Sequence, residues 1–163
     1  MSLFGFGQRK IIFTTPVSGQ FQFLEDIEDE VFSKKLMGEG YGVIPDDNKI
    51  YSPVSGTINS IFETKHALGI TTDNGLEILV HMGLDTVELN GEPFNIMVKK
   101  GEKVDNSTQL AEMDINAIKS KSYGTVVLTI ITNVQEKVKN LNFLMKKSEN
   151  VDVGHEILEV KIN

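Results

Sequence analysis

The strongest constraint on this chain is its punctuation. Every apolar segment is short, and Gly, Asn, Asp or Pro separates each from the next. Candidate strands run over 11–14, 19–24, 42–44, 49–52, 56–63, 67–72, 76–82, 108–114, 125–132 and 156–162. Ile and Val together make up about a fifth of the chain, and β-branched side chains suit a pleated, half-buried surface. Short strands at this spacing predict an all-β fold, an antiparallel sandwich or barrel. Helical patterning is confined to short flanking turns at 29–37, 114–120 and 133–140.

Length and charge narrow the function. At 163 residues one core is expected, with 1–10 as a flexible N-terminal segment and 11–163 as the folded domain. The chain has no cysteine, which excludes a disulfide framework, a thiolate nucleophile and a Cys-type zinc site. A net charge of −7 speaks against a nucleic-acid binder, which needs clustered Lys and Arg. No apolar run approaches the ~20 residues of a membrane span. A cytoplasmic protein without membrane insertion is the expectation.

Two internal echoes point to pseudo-symmetry. Thr15-Pro16-Val17-Ser18-Gly19 recurs as Ser52-Pro53-Val54-Ser55-Gly56, each before a candidate strand. Glu102-x-Val104-Asp105…Leu110-x-Glu112 recurs as Glu149-x-Val151-Asp152…Ile157-x-Glu159, and both copies read as a turn followed by an edge strand. Two copies are too few for a solenoid.

The chemistry centres on His66 and His81, which flank the turn signal Asp73-Asn74-Gly75. An Asn74-Gly75 loop would set His66 diagonally from His81, with Leu68 facing His81. An Asp73-Asn74 loop would set the two histidines directly opposite. Either two-residue loop brings the imidazoles together, and a three-residue loop would not. The first register puts Leu76, Ile78 and Val80 on a core face, and Glu77, Leu79, His81, Leu68 and Ile70 on the other. A His pair can ligate metal, run acid–base chemistry, or attack phosphorus with one neutral imidazole while the other donates to phosphoryl oxygens. His155 lies at a turn and reads as a surface side chain.

The stretch Gly75-Leu-Glu-Ile-Leu-Val-His81-Met-Gly83-Leu-Asp85-Thr86-Val87-x-Leu89 resembles the phosphohistidine signature of the glucose-type enzyme IIA proteins of the bacterial phosphoenolpyruvate–sugar phosphotransferase system. Phe62-x-Thr64-x-His66-Ala67, Gly38-Glu39-Gly40, Pro53-Val54-Ser55-Gly56 and Gly91-x-x-Phe94 match the same family in its order. Met82, Glu39 and Gly42 depart from the usual residues. The resemblance implies a β-sandwich with jelly-roll-like crossings. It makes His81 the phosphoryl acceptor through Nε2, with Nδ1–H held by the Gly83 carbonyl. It makes His66 the second imidazole, oriented by Thr64, and places Asp85 at the rim. It implies the phosphocarrier HPr as donor and the cysteine of a sugar permease's enzyme IIB domain as acceptor. Val31, Phe32, Leu36, Met37, Phe62 and Leu79 are its expected docking rim. No cofactor is required, though a zinc ion could bridge His66 and His81 with a partner's carboxylate.

The rivals are weaker. A zinc peptidase lacks its His-x-His pair, because position 79 is Leu. A biotinyl or lipoyl carrier needs a lysine at a hairpin tip, and Met113 is followed by Asp114. A regulatory binding module that chooses partners by phosphorylation state, or a His-pair zinc-binding protein, is the alternative.

Overall fold

The computed structural model describes residues 9–163. Fourteen strands alternate with turns: β1 (Lys10–Thr14), β2 (Gly19–Phe23), β3 (Glu39–Pro45), β4 (Lys49–Tyr51), β5 (Gly56–Ile61), β6 (Ala67–Thr71), β7 (Glu77–Leu84), β8 (Phe94–Ile96), β9 (Lys103–Val104), β10 (Gln109–Met113), β11 (Gly124–Ile131), β12 (Val138–Phe143), β13 (Asn150–Val151) and β14 (Glu156–Ile162). Three short helices are α1 (Glu30–Ser33), α2 (Ile115–Ser120) and α3 (Val134–Lys137), and 3-10 turns cover Leu24–Asp26 and Thr86–Leu89. The N-terminal segment expected at 1–10 lies mostly outside the described residues; Lys10 already opens β1.

All pairings are antiparallel, as expected. An eight-stranded sheet runs β13-β2-β3-β11-β7-β6-β5-β9. Two three-stranded sheets, β1-β14-β12 and β4-β10-β8, contribute to the same main core. Phe13, Phe21, Tyr41, Ile50, Leu68, Ile70, Met82 and Leu110 are fully buried there. The expected helix at 133–140 stops at Lys137. The chain then becomes β12, which pairs with β14 through a bulge near Val138 and Asn140.

The echoes are structural. In both Pro-x-Ser-Gly turns the first hydroxyl donates to the carbonyl two residues on, Thr15 to Val17 and Ser52 to Val54, each at 2.6 Å. The two turns also bond each other, Tyr51 N–H to the Pro16 carbonyl at 2.7 Å and Thr14 N–H to the Pro53 carbonyl at 3.0 Å. The Glu102 and Glu149 carboxylates accept from the Lys99 and Lys146 N–H groups at 3.1 and 3.0 Å. Strands β9 and β13, which hold the turn halves of the second echo, lie at the two ends of the large sheet, whereas its strand halves, β10 and β14, are the middle strands of the small sheets and not the edges expected. At its centre Leu128 pairs with His81 and Ile130 with Leu79, so a 49-residue shift (81 to 130, 79 to 128) exchanges the two pairs. The large sheet is therefore pseudo-twofold about Val80 and Thr129.

The β6–β7 register corrects the expectation. Ala67 pairs with His81, Leu68 with Val80 and Ile70 with Ile78. The loop has three residues, Asp73 to Gly75, closed by Thr72 N–H to the Leu76 carbonyl at 2.9 Å, with Gly75 at φ 88°. A left-handed glycine as third loop residue is the usual three-residue solution. One residue of slip moves a strand's side chains to the other face, so Leu68 and Ile70 join the main core.

Candidate active site

The outer face of the large sheet carries the site. Segment 24–37 folds back over this face, where Leu24, Ile27 and Phe32 pack on Ala67, Leu79, Val126, Leu128 and Ile130 as a second apolar cluster. Glycine makes this close approach feasible: a Cβ on Gly42 would lie 2.9 Å from Val126 and 3.2 Å from the Ile27 side chain. Asp29 starts α1, its carboxylate accepting from Val31 N–H at 2.9 Å. Lys35, left-handed at φ 57°, ties the segment to Glu39 at 3.1 Å and Glu25 at 3.7 Å.

His81 stands between two rings. The His66 imidazole lies edge to face with it, centroids 5.0 Å apart, and the Phe32 ring lies on it at 5.0 Å. This proximity arises against the register. His66 falls opposite Met82, whose N–H donates to its carbonyl at 2.7 Å, and strict alternation would send the two imidazoles to opposite faces. The pleat does not extend that far. Strand β6 begins at Ala67, and Lys65 just before it is left-handed at φ 58° within a turn closed by Phe62 and Ala67. His66, still held to β7 through its carbonyl, thus lies outside the regular pleat, and its ring turns toward His81.

Each ring has a fixed partner. His81 Nδ1 lies 2.9 Å from the Gly83 carbonyl, which can only accept, so Nδ1 carries the proton and the Nε2 lone pair is free. His66 Nδ1 lies 2.7 Å from Thr64 Oγ1. Gly83 is left-handed at φ 85°, and a Cβ there would collide with Thr86 and come 2.8 Å from the Gly124 carbonyl. The buried Thr86 hydroxyl donates to the Met82 carbonyl at 2.6 Å and pins the turn that follows.

Burial sets the electrostatics. Desolvation, with a smaller push from His66, lowers His81 to about 4; the Gly83 hydrogen bond, Asp29 and Asp85 oppose it. Burial also lowers His66. Near neutral pH both rings are uncharged, and His81 presents an unprotonated nitrogen suited to nucleophilic attack.

The other expected residues separate into exposed and buried. Asp85 is exposed and left-handed at φ 60° ahead of the 3-10 turn. Leu36 at 69 %, Phe62 at 43 %, Val31 and Met37 are exposed, and the Phe62 ring stands 5.4 Å from His66. Phe32 at 5 % and Leu79 at 7 % are buried in the second apolar cluster, so they do not belong to an exposed rim. Sequence reasoning missed Asp29, whose charge acts on His81; its position before a helical turn was readable only as a cap. Among the described residues no group of three or more His, Asp or Glu could share a metal ion. No helix among them is long and apolar enough to cross a membrane.

Comparison with known proteins converges on one family. The family model described as phosphoenolpyruvate-dependent sugar phosphotransferase system, EIIA 1, matches residues 11–137. A glucose-specific EIIA component of that system from Staphylococcus aureus is 42 % identical over 137 residues, 82 % of each chain. A β-glucoside-specific EIIBCA component from Bacillus subtilis is 42 % identical over 130 residues, 80 % of this chain and 21 % of that one. The solved glucose permease IIA of Mycoplasma capricolum superimposes with a TM-score of 0.82 at 30 % identity, over 98 % of this chain and 99 % of that one.

Proposed function

The chain belongs to the EIIA 1 family of the phosphoenolpyruvate-dependent sugar phosphotransferase system, a phosphocarrier component of that system, and from this we infer that His81 carries the phosphoryl group. The observation that supports His81 most is the Gly83 carbonyl at 2.9 Å from its Nδ1, because it leaves Nε2 as the free nucleophile. In the proposed first step Nε2 attacks the phosphorus of phosphohistidine on HPr. A new N–P bond forms as the donor's N–P bond breaks, and the electron pair returns to the donor imidazole. In the second step a cysteine thiolate of a permease's enzyme IIB domain attacks the same phosphorus and His81 recovers its lone pair. The Bacillus relative, whose name joins IIA with IIB and IIC in one protein, supports a IIB acceptor.

His66 is assigned a donor role toward phosphoryl oxygens. This role has the Thr64 hydroxyl, 2.7 Å away, donating to Nδ1, so that the other nitrogen carries the proton. Neither step calls for a nucleotide, a metal or another cofactor. A cytoplasmic location is the expectation that goes with this proposal. Incubation with phosphoenolpyruvate, enzyme I, HPr and a IIB domain tests the reading. The relay predicts IIB phosphorylation that requires this chain; IIB labelling at an equal rate without it would refute the role.

A further inference from the structure

On the same outer face, a cleft of about 340 Å³ opens where the start of segment 24–37 leaves the sheet, lined by Asp26, Ile27, Glu28, Ile44, Leu84 and Val126, among others. We propose that this cleft receives an arginine side chain of the docked IIB domain, as a second contact beside the imidazoles. This rests on the relay reading above and adds a recognition site to it.

Three observations carry the assignment. The first is position. Leu84 lies three residues beyond His81 on β7, at most about 10 Å along the chain. A standard interface of about 800 Å² per partner centred on His81 reaches that far. The cleft also lies near Gly83: Gly124 lines it, and a Cβ at Gly83 would come 2.8 Å from the Gly124 carbonyl.

The second is chemistry. Ile27, Ile44, Leu84 and Val126 offer an apolar wall for an aliphatic stem, and Asp26 and Glu28 stand among them for a cationic head. Lys147 sits 3.5 Å from Asp26, and Glu28 has no cation within ion-pair distance among the described residues. The negative charge at the lip is thus only partly answered from within.

The third comes from the pseudo-twofold. The 49-residue shift maps Val126 onto Glu77, Gly124 onto Gly75 and Leu84 onto Asn133. In that half the equivalent place is occupied by bonded side chains. Asn133 bonds Glu77 N–H and the Gly75 carbonyl, each at 2.9 Å, and Asn59 donates to Glu77 at 2.9 Å. Leu84 and Val126 can make no such plug. The fold does not require an opening here; this half leaves one, beside the reactive histidine.

The test uses the full chain. Asp26→Asn with Glu28→Gln should raise the KM for a IIB domain about fivefold to thirtyfold at low salt with kcat unchanged. The double variant should still take one phosphoryl group from phospho-HPr, a result that keeps the relay reading separate from the cleft. In a second arm, N-acetylarginine amide is titrated into the labelled protein. Amide shifts should centre on Leu84, Gly124 and Val126, and neutral N-acetylnorleucine amide should leave them in place. An unchanged KM for IIB, or equal shifts from both probes, overturns the proposal.

Discussion

His66 and His81 meet edge to face at 5.0 Å although the register of their hairpin assigns them to opposite faces. The contact depends on one left-handed residue, Lys65, and on the hydrogen bonds Thr64 and Gly83 make to the two rings. The proposed chemistry divides along the same line: His81 forms the bond, and His66 helps where charge is redistributed.

That division predicts unequal variants. Removing one preorganised donor costs about 10²–10³ in rate. His66→Ala should therefore still take up phosphoryl, slowly, and pass it on slowly. Thr64→Val should show a weaker loss and Thr64→Ser should recover it, because only the hydroxyl orients His66. Timing HPr-to-IIA and IIA-to-IIB transfer separately checks this; wild-type rates for His66→Ala in both stages would remove the donor role.

Protonation gives a second check. His81 is lowered from 6.5 to about 4, first by burial and then by His66. As pH falls from 6.5 toward 4 the unfolded chain binds a proton that the folded site refuses, so stability declines across that window. Above it the residue adds no pH dependence. Ring NMR should show His81 neutral with its proton on Nδ1 at pH 6, and melting curves for His81→Gln should fall less steeply over the same window.

Gly83 is expected to tolerate no side chain. Its left-handed backbone and the clash of a Cβ with Thr86 and the Gly124 carbonyl predict a loss of about 1–3 kcal/mol for Gly83→Ala. Denaturant midpoints measure it. The same change should loosen the carbonyl that holds His81, so its Nδ1 proton should exchange faster with water.

The apolar rim can be tested without disturbing the core. Leu36→Asp should raise the KM for both partners about tenfold with an unchanged melting temperature, because Leu36 is 69 % exposed. Phe32→Asp is expected to unfold the segment instead, since that ring is buried against His81. Unchanged transfer kinetics in Leu36→Asp would remove the rim.

The legible and illegible parts of this molecule differ in physical kind. Punctuated β-branched runs located ten of the strands, but the edge reading of the second echo failed, since β10 and β14 each pair on both sides. Strands β8, β9, β12 and β13 were hidden because two to six residues with mixed polarity carry little alternation. The hairpin register was missed by one, because Asp73-Asn74-Gly75 suits both a two-residue and a three-residue loop and only the pairing of Thr72 with Leu76 decides. The contacts that pair Thr64 with His66 and Gly83 with His81 could not be read from spacing, since each depends on a local turn of the chain. Burial of Phe32 and Leu79 was not readable, since it depends on segment 24–37 folding back over the sheet.

The central claim is that His81 alone accepts the phosphoryl group. Intact mass after incubation with phosphoenolpyruvate, enzyme I and HPr tests it most directly. The account predicts one acid-labile, base-stable phosphoryl group on the native chain and none on a folded His81→Ala variant. A His81→Ala chain that still gained the mass of one phosphoryl group would contradict it.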